Sequence, residues 1–379
     1  MGKKRLFVDA GPLIDPHLSG VGHATYHLID ELSRDEAFTA AHEIHLVAPA
    51  WLTTRLARWN FPATVAPERI PVPGRVLVRL IRYRVLPPMD LLLGRGAYLF
   101  TNFANWPLVF SPSITYIHDV AFVRHPGTVE PSNLRYLSRN VPTWVGRATW
   151  IVTVSETAKR EIAEDLHVDP ARIVVAYNGV DRALYRRSDP ARVAATKAAL
   201  GIEGEYVLFV GNIEPRKNLL RLVQAFRALP EALTRRCSLV LVGGGGWLNG
   251  PILEAIAAAR RDGCRIVRPE RYVEDAEVVD LYSGARCSVL PSLHEGFGMP
   301  LLEALACGTR VVAADIGALR EAGGDLPVYC DPLSAESIAE ALRRTIESEP
   351  AADFARRAEE HVARFTWART AGVIKGLIP

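Results

Sequence analysis

Apolar and polar positions along the chain follow two recurring rhythms. Short apolar runs at residues 5–9, 43–48, 98–100 and 114–117 read as buried strands. The stretches between them carry apolar residues at helical spacing, as Ala24, Leu28, Ile29 and Leu32 do across residues 23–32. A strand at 148–155 runs into a helix that Ser155 is placed to cap, with Ala158 and Ile162 on its inner face. A strand at 173–177 closes this first series. Residues 182–204 are charged, with helical but no strand character. The rhythm then restarts with strands at 206–210, 238–242, 265–267, 287–290, 309–314 and 328–330. Asn218 is placed to cap a helix through Leu219, Leu222, Val223 and Phe226, and further helices are predicted at 276–282, 334–347 and 351–364. Strand–helix alternation through both halves predicts an α/β protein of two doubly wound, Rossmann-like domains. Their boundaries are read as 1–185, a linker at 186–204, 205–358, and a C-terminal helical segment at 359–379.

The densest chemistry follows the strand at 287–290, in His294-Glu295-Gly296-Phe297-Gly298-Met299-Pro300-Leu301-Leu302-Glu303 and on to Gly308. Pro300 suits a first helical position and Gly308 a helix stop. A helix N-terminus favours an anion, and carboxylates accept from paired hydroxyls. Glu295 and Glu303, with seven residues between them, therefore point to a phosphorylated, polyhydroxylated ligand, with Glu303 read in the first helical turn. Arg216 and Lys217 lie in the loop after the 206–210 strand, beside a helix start, where two cations suit a diphosphate. Gly20 and Gly22 follow the first strand in the manner of a phosphate-binding loop. His118 ends the 114–117 strand, on the side of a parallel sheet that faces ligands, where its imidazole suits donating to or orienting a developing charge.

Composition narrows the class. Hydrophobic residues make up 49% and charged residues 23%, as in a folded globular protein. The chain shows no transmembrane run and no secretory leader, which predicts a cytoplasmic location. Five cysteines without a Cys-x-x-Cys pair read as reduced thiols. A net charge of +3 gives no nucleic-acid surface. Residues 69–95 nonetheless hold six arginines against one acid, Asp90. Two readings stay open there: a basic amphipathic helix on anionic lipid at the inner membrane face, or a solvated helix on the sheet. The glycines at 243–246 lack the dinucleotide spacing, because Leu248 stands where the third glycine belongs, which speaks against a nicotinamide oxidoreductase.

The Glu-x7-Glu string resembles the signature of retaining family 4 glycosyltransferases of the GT-B fold, in wording closest to mannosyltransferases of bacterial surface-polysaccharide assembly. The resemblance covers nearly the whole chain. It implies two domains facing across a cleft, the last helix returning to the first domain, and transfer of a hexose from a nucleotide-diphosphate donor, GDP-mannose favoured. The acceptor would be a saccharide or a polyprenyl-diphosphate-linked saccharide. By the resemblance, Arg216, Lys217, Gly20, Gly22 and the backbone at Phe297, Gly298, Met299 and Pro300 meet the diphosphate. Glu295 meets the sugar hydroxyls, Glu303 the ribose, Tyr272 and Val273 the base, and His118 the sugar near the reaction centre. No cofactor or catalytic metal is expected, since there is no Asp-x-Asp and fixed cations take the metal's place. Glu295→Ala and Lys217→Ala are expected to abolish transfer with the fold intact. A nucleotide-sugar epimerase or phosphorylase, or a non-catalytic nucleotide-sugar-binding protein, is the alternative on the same frame.

Overall fold

The computed structural model describes residues 2–15, 17–73, 75, 76, 79, 80 and 85–379. Its contacts form two units, one of residues 1–120, 135–179 and 366–379, the other of 121–134 and 180–365. Segment 121–134 thus groups with the second unit, and the C-terminal segment of the first starts at Thr366. Both lines differ from those drawn on the sequence.

Among the described residues the first unit holds a parallel sheet of β1 (Lys4–Asp9), β2 (His42–Pro49), β3 (Val65–Ile70), β4 (Ala97–Phe100), β5 (Ser113–Tyr116), β6 (Trp150–Thr153) and β7 (Ile173–Val175), in the order β3-β2-β1-β4-β5-β6-β7. Its central strands are covered on both faces, so Leu6, Phe7 and Val8 are all buried and read as one apolar run. Strand β3 is absent from the sequence reading because Pro67, Glu68 and Arg69 interrupt its apolar pattern; an edge position tolerates them. The helix Pro131–Arg147 is also absent from it: Pro142 stands inside, and Val141 and Val145 are its buried residues.

The helix Trp367–Leu377 packs on Gly20–Arg34 within this unit. Trp367 stacks on His27 with ring centroids 5.1 Å apart, Thr370 Oγ1 donates to the Tyr177 carbonyl at 2.6 Å, and Lys375 pairs with Asp35. A Cβ on Gly179 would fall 2.2 Å from the Trp367 nitrogen, so only glycine allows this seat.

The second unit's sheet runs β10-β9-β8-β11-β12-β13, from β8 (Glu205–Val210), β9 (Cys237–Val242), β10 (Ile266–Val267), β11 (Cys287–Leu290), β12 (Val311–Ala314) and β13 (Val328–Cys330), again parallel throughout. Phe209, Leu222, Phe226, Leu239, Val289 and Leu342 fill its core. The stretch read as a linker folds onto this unit. Its helix Pro190–Ala199 is pinned by buried Asp280, which accepts from Thr196 Oγ1 at 2.8 Å and pairs with Arg192 at 3.4 Å. The five cysteines are unpaired. No helix among the described residues is long and apolar enough to cross a membrane.

The basic helix read over 69–95 falls partly on residues outside the described ones, Arg82 and Arg84 among them. Asp90 is described, and it is no surface charge: its buried carboxylate accepts the N–H groups of Val109, Phe110 and Ser111 at 2.7–3.1 Å.

In both sheets the chain builds outward in one direction and then restarts on the other side of the first strand. The reversal lies between β1 and β4 in one and between β8 and β11 in the other. Loops leaving the carboxyl ends of such paired strands diverge and leave room for a ligand.

Candidate active site

In the second unit the loops leaving β8 and β11 are tied together where the Leu293 N–H donates to the Arg216 carbonyl at 2.9 Å. The β8 loop closes in a tight turn, Pro215–Lys217, followed by Asn218 at φ 60°. Asn218 does not cap the next helix with its side chain as the sequence predicts. It supplies the left-handed turn instead, and its amide donates to the Pro291 and Pro332 carbonyls at 2.8 and 2.7 Å.

Glu295 sits at the centre of the site. Its Oε1 accepts from Lys217 Nζ and from Ser292 Oγ, each at 2.7 Å, and its Oε2 accepts from Arg216 Nη1 at 3.0 Å. Arg216 also donates through Nη1 to the His294 carbonyl and through Nη2 to Glu214 Oε1, both at 2.9 Å. Burial alone would raise the Glu295 carboxyl, but Lys217 and Arg216 outweigh it and hold the group down at about 2. The sequence reading gives the cations and Glu295 separate tasks; the structure binds them into one network. Glu214, 2% exposed, is a member that reading missed, although it stands as the single acid of Gly-Asn-Ile-Glu-Pro-Arg-Lys.

Glu303 lies apart from that network. The helix starts at Met299, so Glu303 lies past the first turn in which the sequence reading places it, and too far in to complement the helix dipole. Tyr282 Oη donates to Glu303 Oε2 at 3.3 Å. Burial pushes this carboxyl up to about 7, against the opposing hydrogen bonds from Tyr282 and Tyr185. Neither tyrosine is a site candidate in the sequence reading; only their place in space gives them away.

The 297–300 segment is more structural than its glycine suggests. Phe297 is buried with its ring 5.6 Å from that of Phe365. Pro300 has no N–H, and the N–H groups of Leu301 and Leu302 are directed at the Gly298 carbonyl, so Pro300 cannot offer an amide to an anion. Gly298 has φ 115°, and a Cβ there would lie 2.5 Å from Cδ2 of Leu319, itself fully buried. Gly298→Ala is therefore expected to cost about 2 kcal/mol, read as a lower urea midpoint with an unchanged slope. Tyr272 is exposed, whereas Val273 is buried and has only its backbone to offer a ligand.

In the first unit, His118 lies just beyond β5. Its Nε2 must carry the proton, since it faces the Thr101 carbonyl at 2.8 Å. Burial lowers its pKa despite the Thr101 bond and the charge of Asp119, so the ring is neutral near neutral pH. With Nε2 committed, His118 has Nδ1 as an acceptor, which leaves orienting, of the two roles read from the sequence, as the one it can fill. Its ring is flanked by Tyr116 and Phe103, centroids 5.5 and 5.9 Å away. Phe103 holds φ 54°, a strained state for so bulky a residue and one that clusters at functional sites.

Gly20 and Gly22 form the first turn of the helix Gly20–Arg34, not a loop before it. The Gly22 N–H is capped by Ser19 Oγ at 3.3 Å, and a Cβ on Gly22 would meet Leu18 and the Pro12 carbonyl at 2.8 and 2.9 Å. Gly22 thus packs, while Gly20 has open space around it. That helix and His118 line one small cavity with Thr25, Thr101, Tyr116 and Trp367. Among the described residues no group of three or more His, Cys, Asp or Glu side chains is arranged to hold a metal.

Two doubly wound units, each with polar side chains gathered where its strand order reverses, have the architecture of GT-B glycosyltransferases. The chain belongs to the group 1, family 4 glycosyltransferases: residues 194–361 match "Glycosyl transferases group 1" and residues 18–184 match "Glycosyltransferase Family 4". It is 30% identical over 313 residues to O-antigen chain mannosyltransferase B of Escherichia coli, covering 78% of this chain and 80% of that one. It is 36% identical over 234 residues to a D-inositol 3-phosphate glycosyltransferase of Thermobispora bispora, a match to 58% of this chain and only 53% of that protein. In fold it is similar to Anabaena Alr3699/HepE, solved in complex with UDP and glucose, with TM-score 0.72 at 18% identity over 99% of both chains.

Proposed function

We propose that this glycosyltransferase moves a hexose, mannose by preference, from a nucleoside-diphosphate sugar to a saccharide or polyprenyl-diphosphate-linked acceptor, with retention and without a metal. The observation that carries the proposal is the buried Arg216–Lys217–Glu295 network at the strand reversal of the second unit. Fixed cations there suit the charge that develops on a departing diphosphate, and fixed charges need no reorganisation as it leaves. The ribose task falls to Glu303, the base to Tyr272, and sugar hydroxyls to Glu295 and to Nδ1 of His118. The leaving phosphate assists removal of the acceptor proton on the same face of the sugar. Mannose and surface-polysaccharide assembly are favoured by the likeness to the E. coli O-antigen chain mannosyltransferase B, and a cytoplasmic location is part of the same proposal. Contact of residues 69–95 with anionic lipid belongs to the same proposal and is checked by flotation with phosphatidylglycerol vesicles.

The donor is tested by thermal unfolding with GDP-mannose, UDP-glucose and dTDP-rhamnose. A bound donor at a hundredfold its Kd adds about 2.7 kcal/mol of stability, enough for a clear rise in Tm. GDP-mannose is expected to give the largest rise, followed by mannosyl transfer with α-configuration retained. A rise with UDP-glucose alone reassigns the donor, and donor cleavage without an acceptor favours the phosphorylase reading.

A further inference from the structure

The proposed reaction gives no task to Glu214. This side chain is 2% exposed, more deeply buried than Glu295 at 9%, and stands two residues before Arg216 in the β8 loop. Arg216 divides its guanidinium between the two acids, Nη2 to Glu214 at 2.9 Å and Nη1 to Glu295 at 3.0 Å, while Lys217 Nζ is bound to Glu295 at 2.7 Å. Two cations thus already face two carboxylates. A donor diphosphate brings two more negative charges to the same two cations, in a place where burial weakens the screening by water.

The imbalance is relieved if one carboxylate gains a proton. Glu295 is a poor candidate, held ionised by donors from Lys217, Arg216 and Ser292. Glu214 accepts from Arg216, and burial and the charge of Glu295 already push its carboxyl upward against Arg216 and Lys217. On its other side the backbone packs closely, since a Cβ on Gly246 would lie only 3.1 Å from the Glu214 Cβ. The 243–249 loop there is Gly-Gly-Gly-Gly-Trp-Leu-Asn, without a titratable side chain. The remaining ionisable neighbour on the β11 loop is His294, which turns its carbonyl to Arg216 and its ring toward His125, centroids 5.3 Å apart.

We infer that Glu214 takes up a proton from solvent when a donor diphosphate reaches Arg216 and Lys217, which frees the Nη2 arm of Arg216 for a phosphate oxygen. The inference rests on the donor site proposed above. No bond other than the carboxyl O–H forms, and the group returns the proton when the nucleotide leaves. Glu214 is a positioning residue that lets two cations serve both an empty and a charged site.

The test is titration calorimetry with GDP-mannose and with UDP-glucose, whose diphosphate stays fully ionised and does not titrate near neutrality, so the protons counted belong to the protein. Heats are compared in phosphate and Tris buffers, which differ in ionisation enthalpy, for the wild type and for Glu214→Gln. The wild type is expected to take up more protons per donor bound than the variant, by up to one. Glu214→Gln is expected to bind donor several-fold more tightly above neutral pH, with a flatter pH dependence and an unchanged Tm. Any proton change at Glu303 is common to both proteins and cancels. Equal proton counts, or weaker binding by the variant with the same pH slope, would overturn the inference and leave Glu214 as a strut for Arg216, with the donor site standing. Absence of binding by the wild type to either donor sinks the donor site itself, and the inference with it.

Discussion

Lys217→Met should lower the rate of sugar transfer by roughly 10³-fold, the scale seen when a preorganised charge stabiliser is removed from a buried site. Lys217 is 14% exposed and its Nζ touches Glu295 Oε1 at 2.7 Å, so its charge acts where water screens it little. The same substitution should lower stability by about 3–5 kcal/mol, because it strands one side of a buried carboxylate. That departs from the expectation, drawn from the sequence, that truncation at this position spares the fold. The two losses separate experimentally. Urea unfolding gives the stability, and initial rates of donor consumption, normalised to folded protein at a temperature well below the transition, give the chemistry. Lys217→Arg keeps the charge but replaces a compact ammonium with a planar fork, and should recover stability more fully than rate. A near-normal rate in Lys217→Met, with the stability loss intact, would make the network a structural clamp and remove it from the reaction.

The fold was legible because buried parallel strands advertise themselves. Leu6-Phe7-Val8 and Leu239-Val240-Leu241 are unbroken apolar runs, and such runs have few other uses. What stayed hidden has physical causes. Strand β3 carries Pro67 and charges, which an edge accepts and a pattern search rejects. Asp280 holds the stretch read as a linker through a contact 84 residues apart in sequence, and nothing local announces it. The site divides in the same way. Arg216, Lys217 and Glu295 were readable because charged groups beside glycine turns at strand ends have little structural purpose, and the structure brings these three together. By the resemblance the backbone at Gly298 meets a diphosphate, but its φ of 115° and the Leu319 side chain already require glycine. A residue type suggests its chemistry, whereas the share of its hydrogen bonds already spent appears only in three dimensions. Glu214 and Tyr282 illustrate this: their types are ordinary, and their partners make them part of the site.

Glu303 should give the pH dependence of the enzyme a recognisable signature. Its carboxyl ionises at about 7 in the folded protein, against an ordinary value of 4.5. The folded state therefore binds this proton more tightly than the unfolded chain. The stability that the group contributes is complete below about pH 4.5 and is lost as pH rises through about 7. Glu303→Gln keeps the shape but cannot ionise, and should be more stable than the wild type above pH 7 by at most about 3 kcal/mol, with no difference at low pH. Activity should run the other way. Only the ionised carboxylate accepts both hydroxyls of a ribose, so in a Glu214→Gln background, where no proton uptake at Glu214 accompanies donor binding, kcat/KM for the donor should rise about tenfold per pH unit up to about pH 7 and then level off. In Glu303→Gln that bend should vanish, with kcat/KM lowered roughly 10- to 100-fold by loss of a charge-assisted hydrogen bond. Tyr282→Phe removes a hydrogen bond that favours ionisation and should move the bend to higher pH, which ties it to this carboxylate and not to His118. If kcat/KM falls instead as pH rises through 7, the protonated acid is the active form and Glu303 donates to the substrate. A profile without a bend in this window would mean that the donor never meets this carboxyl.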